Sequence, residues 1–99
     1  MELTVTFRHS EPSNVLKQNI EEKLSKLNKY LLKASQAHVI LMVERSRHIA
    51  EITLSENHHT LCAKEGSHDM YQSVDLAIAK LERQLKKLKE KVKSHHNRD

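Results

Sequence analysis

The chain has 99 residues, 17 Lys and Arg against 13 Asp and Glu, 37% hydrophobic residues, and only one Gly, one Pro and one Cys. This is room for one domain with a thin core, and it excludes collagen-like and low-complexity chains, an internal disulfide and the glycine-rich loops that cradle nucleotide phosphates. No stretch of sequence has the length and apolarity of a membrane span or a signal peptide, so a cytoplasmic protein is expected.

Residues 2–7, ELTVTF, alternate with Leu3, Val5 and Phe7 on one face, the period of a half-buried strand. Pro12 and Ser13 punctuate the chain, with Ser13 as a candidate N-cap. Leu16, Ile20, Leu24, Leu27 and Leu31 then recur at helical spacing, which predicts an amphipathic helix over 14–31. His38 to Glu44 carries apolar residues on both faces and is read as a central strand. Residues 49–55 and 60–64 form a predicted hairpin across the polar ENHH connection. Gly66, Ser67 and His68 interrupt the pattern. A long periodic segment, Met70, Val74, Ala77, Ile78, Leu81, Leu85, Leu88 and Val92, then predicts a helix over 70–93 of about 35 Å.

The predicted order is β-α-β-β-β-α, an α+β fold in which one four-stranded sheet carries both helices on one face and leaves the other face open. No internal repeat appears. One domain spans 1–99, with 94–99 expected as a frayed tail.

Charge is unevenly distributed. Residues 80–99 hold eight basic and three acidic side chains, and the rest of the chain is close to neutral. On a helical projection Lys80, Arg83, Gln84, Lys87 and Lys91 share one flank without an acid, while Lys86, Lys89 and Lys93 lie on the other beside Glu82. A rigid row of cations can neutralise several phosphates and release their counterions, which makes this helix the candidate nucleic-acid contact. Long Lys and Arg stems also snorkel along the apolar stripes of ordinary surface helices. Concentration of the net charge here weighs towards binding.

Only Phe7, Tyr30 and Tyr71 are aromatic, so a base-stacking platform is not expected, and recognition by phosphate and shape suits structured RNA. His58-His59, His68 and His95-His96 lack metal-ligand spacing, so neither a metal nor a cofactor is expected. Cys62, alternating with Leu61 and Ala63, is read as a buried structural thiol. Glu65, Asp69 and Asp75 are read as acids near the positive end of the long helix. No acid–base pair or nucleophile stands out, and the chain is not expected to be an enzyme.

The segment DMYQSVDLAIAKLERQLKKLKEK, with Asp69-Met70-Tyr71, Asp75, Lys80-Leu81, Arg83-Gln84-Leu85, Lys87, Lys89 and Lys91, resembles the C-terminal helix signature of the ribosome hibernation-promoting factor and ribosome-associated inhibitor family. KLSKLNKYL, from Lys23 to Leu31, is similar too, and the resemblance runs over nearly the whole chain. It implies the same β-α-β-β-β-α fold and a partner, the small ribosomal subunit, bound in the decoding channel where it blocks mRNA and tRNA and silences translation in stressed or stationary-phase cells. By motif position it implies ribosomal RNA contacts at Lys80, Arg83, Gln84, Lys87, Lys89 and Lys91, with Lys23, Lys26 and Arg45 added. The length resembles the short form, which pairs ribosomes together with a second small factor. Strand one ends in Phe7-Arg8-His9 where relatives often have Gly or Asn. Two other readings stay open: a generic structured-RNA-binding domain, and a protein-interaction module in which the Leu81, Leu85, Leu88 and Val92 stripe pairs with another helix. No small-molecule substrate and no membrane contact is expected.

Overall fold

The structure is a computed structural model, and it describes residues 1–31, 35–56 and 58–97, with side chains described up to Glu90. Its elements follow the predicted order: β1 (Glu2–Arg8), α1 (Asn14–Ser25), a 3-10 turn (Lys26–Tyr30), β2 (Gln36–Glu44), β3 (Arg47–Glu56), β4 (His59–Ser67) and α2 (Met70–Asn97). The strands form one mixed sheet in the order β1-β2-β3-β4. β1 runs parallel to β2, as a strand–helix–strand crossover requires, and the other two pairs are antiparallel hairpins.

Cross-strand register separates the two faces. Val5, Val39, Ile52 and Ala63 form one row on the helix side, and Thr4, His38, Thr53 and Cys62 form a row on the open side. Leu16, Ile20, Leu24 and Leu27 from the first helical segment, and Val74, Ala77, Leu81 and Leu85 from α2, close over the first face as a single core. β2 is central, but Ile40 and Met42 on its open side are only half-buried.

Several boundaries differ from the sequence reading. The predicted helix over 14–31 changes to 3-10 geometry at Lys26, where Leu24, Leu27 and Tyr30 space by three, the period of a 3-10 turn. Ser13 caps α1, its Oγ accepting from Leu16 N–H at 3.2 Å. Gly66 and Ser67 do not end a strand: β4 continues through both. The register sets Gly66 opposite Ile49, and a Cβ at Gly66 would lie 2.5 Å from Nε of Arg47, so the missing side chain makes room for the Arg47 guanidinium. Ser67 Oγ bonds Ser73 Oγ at 2.7 Å, and Asp69 Oδ1 accepts from Tyr71 N–H at 3.2 Å, which starts α2. The helix runs on to Asn97, a length of about 42 Å, and contributes to overall dimensions of 52 × 22 × 19 Å.

Two side-chain readings are corrected. Cys62 is exposed, because the alternation of β4 turns it to the open face while Leu61 and Ala63 face the core. Glu65 and Asp75 are engaged elsewhere than at the helix start: Glu65 approaches Lys80 and Asp75 pairs with Lys23.

Candidate nucleic-acid interface

The cationic flank of α2 is held in place by the apolar one. Leu81 and Leu85 are fully buried against the sheet, which turns Arg83 and Lys87 outward as exposed side chains. Among the described residues neither forms an ion pair. Lys80 lies on the same flank, and its Nζ is 3.7 Å from Glu65 Oε2 with both side chains substantially exposed, a bridge worth little in water. An acid therefore does reach this row, but it comes from β4, where no helical projection would show it.

Gln84 takes a structural position. Its Nε2 donates to the carbonyl of Cys62 at 3.2 Å, tying α2 to the outer strand. Lys89 faces the other side of α2, where its Nζ donates to Oε1 of the nearly buried Glu56 at 2.7 Å. Lys23 is paired with Asp75 across the two helices, and Lys26 stays exposed at the rim of the groove between them, about 350 Å³ in volume. The side chain of Lys91 lies outside the described residues. The structure thus groups Lys80, Arg83 and Lys87, engages Gln84, Lys89 and Lys23 in contacts within the fold, and sets Arg45 elsewhere.

Arg45 occupies the two-residue turn between β2 and β3, exposed, with φ 57. Two arginines that the sequence reading passed over lie beside it. Arg8, at the end of β1, pairs in register with Met42, and Arg47 lies across Gly66 on the same open face. Both are exposed, so three arginines gather at the end of the sheet where α2 begins. Arg45-Ser46-Arg47 is visible in the sequence as a local cluster. Arg8 is 37 positions from Arg45, and only the parallel register brings it to that end.

This geometry defines a class: a small α+β domain with a long helix whose exposed flank presents cations beside an outer strand. The chain matches the family model described as sigma 54 modulation protein / S30EA ribosomal protein over residues 3–93, and it belongs to that family. It is 36% identical over 95 residues to the ribosome hibernation promoting factors of Salmonella typhimurium and Escherichia coli K12, covering 96% of this chain and the whole of each relative. Among solved structures, a ribosomal subunit interface protein from Coxiella burnetii superposes with a TM-score of 0.80 at 29% identity, covering 91% of this chain and 99% of that one. The Protein Y N-terminal domain of Thermus thermophilus gives 0.82 at 25% identity, covering 89% and 99%. The resemblance read from the long helix is therefore shown, as is the fold. The chain is a member of a family of ribosome hibernation and subunit-interface proteins.

Among the described residues no three His, Cys, Asp or Glu side chains are grouped to hold a metal ion. No described helix is long and apolar enough to cross a membrane.

Proposed function

We propose that this protein is a cytoplasmic, non-enzymatic hibernation factor that binds ribosomal RNA of the small subunit in the decoding channel, excludes mRNA and tRNA, and so silences translation and promotes pairing of idle ribosomes. The observation that carries the reading is the exposed flank of Lys80, Arg83 and Lys87, held at fixed spacing by a helix whose opposite face is buried. Evenly spaced cations on a preformed element match the repeating phosphates of a backbone without needing base contacts. The arginines at 8, 45 and 47 supply a second contact at the other end of the sheet. Lys23, Lys26, Lys89 and Lys91 join these as RNA-facing candidates, the first and third after exchanging an internal carboxylate for phosphate. Gln84 acts by bracing the helix against β4.

Co-sedimentation with isolated small and large ribosomal subunits, at low and moderate salt, tests the reading. The expected result is selective pelleting with the small subunit, reduced when mRNA and tRNA are bound beforehand. Equal pelleting with both subunits, or equal affinity for any RNA duplex, points instead to generic structured-RNA binding.

A further inference from the structure

The two edges of the sheet are finished differently. At the β4 edge Gln84 reaches across from α2 and donates to the Cys62 carbonyl. At the β1 edge, among the described residues, no side chain bonds to the backbone. The direction of the β1 backbone follows from its ladder: Glu2 N–H donates to Ser35 O at 2.9 Å, and the parallel register runs from Glu2↔Gln36 to Arg8↔Met42. In such a ladder alternate residues direct both N–H and C=O to the same neighbour. Glu2, Thr4, Thr6 and Arg8 therefore bond inward to β2, while Leu3, Val5 and Phe7 direct both groups towards the free edge.

The strand Glu2-Leu3-Thr4-Val5-Thr6-Phe7-Arg8 is chemically palindromic about Val5, with an acid and a base at its ends, Leu and Phe inside them, then Thr on each side. We propose that β1 is a self-pairing edge, through which two copies of this chain join by antiparallel β1–β1 pairing about a two-fold axis at Val5. In this register Val5 meets Val5 of the second copy, Leu3 meets Phe7, Thr4 meets Thr6, and Glu2 meets Arg8. The outward-directed residues then face one another and supply about six main-chain hydrogen bonds. A shift by one residue sets outward groups against inward ones and breaks the ladder. A shift by two loses both Glu2–Arg8 pairs and leaves one apolar residue of each strand unmatched.

Burial agrees with this arrangement. Leu3, Val5 and Phe7 are only half-buried, although their register partners Ala37, Val39 and Leu41 on β2 are buried, so the core is open along this side. Pairing would cover the open apolar row with its counterpart and satisfy an edge that otherwise invites unspecific strand addition. α2 packs over β3 and β4, away from the joint, so both cationic flanks stay exposed. Self-pairing therefore leaves the Lys80, Arg83 and Lys87 flank to RNA and shares only Arg8 with that reading; because it is tested without RNA, either can fail without the other.

Sedimentation velocity of the RNA-free full chain from about 10 µM to 1 mM, a range suited to a small edge contact, is the test. A concentration-dependent dimer is expected, in which amide hydrogen exchange slows at Leu3, Val5 and Phe7 while Thr4 and Thr6 are protected at all concentrations. Glu2→Arg alone, or Arg8→Glu alone, sets like charges opposite each other and weakens the dimer by about tenfold. An equimolar mixture of these two variants, or both substitutions in one chain, restores it. A monomer throughout the range overturns the proposal. A dimer indifferent to the charge reversals, or one that leaves the Leu3, Val5 and Phe7 amides exchanging at monomer rates, also overturns it and moves the contact elsewhere, for instance to the α2 stripe.

Discussion

At the scale of single residues, two features set local stability. His9, between β1 and α1, has φ 53, a left-handed conformation that a Cβ disfavours. This accounts physically for a position where Gly or Asn would fit well. His9→Gly is expected to raise stability by about 0.5–1 kcal/mol, read as a higher urea midpoint with an unchanged slope. Lys89 presents the opposite case, since its ammonium meets the nearly buried carboxylate of Glu56. Lys89→Met should cost about 1–3 kcal/mol, whereas Lys86→Met, at an exposed position, should stay within about 0.5 kcal/mol. Equal midpoints for the two variants would show that the ion pair contributes nothing. No one-dimensional pattern distinguishes these lysines, because the carboxylate that separates them comes from the end of β3.

At the scale of elements, α2 combines two functions along one length. Its apolar stripe anchors it through Leu81 and Leu85, and its cationic flank stands clear of the sheet. Replacing Lys80, Arg83 and Lys87 together by Ala should leave the thermal melt close to that of the parent protein, since the three side chains are exposed. Ribosome binding should fall sharply at moderate salt, and the slope of log affinity against log salt should drop by about two to three, one unit or slightly less for each lost phosphate contact. An unchanged slope would remove these residues from the interface. The stripe and the flank are both legible in the amino-acid sequence, because helical periodicity fixes the angle of every side chain about the axis. The approach of Glu65 to Lys80 and the use of Gln84 as a strut are not, because both depend on β4 lying alongside. Gly66 shows the same limit: locally it reads as a breaker, yet in the sheet it seats the Arg47 guanidinium.

At the scale of the whole molecule, sheet and helices share one core. Leu81, fully buried at its centre, should cost about 2–5 kcal/mol when replaced by Ala, a large share of the roughly 5–15 kcal/mol that stabilises a domain. Far-UV circular dichroism and tyrosine fluorescence should report one coincident urea transition for parent and variant alike. Separate transitions for the two signals, the fluorescence coming from Tyr30 in the 3-10 turn and Tyr71 in α2, would contradict a single core. The same dependence on both layers explains why the outer strands behave differently: β4 is overlaid by α2 and braced by Gln84, whereas the apolar side chains of β1 are only half-covered.

The sequence by itself determined the order of elements, the apolar faces, the concentration of charge in α2 and the family resemblance, because each is written in spacings of two to seven residues or in a contiguous motif. Tertiary structure decided which of the described cations remain free and that Arg8 joins Arg45 and Arg47. It also decided that β1 is the edge left open. The physical reason is common to all three: strand register and the seating of a helix on a sheet bring together groups far apart in the chain, and no local period encodes that pairing.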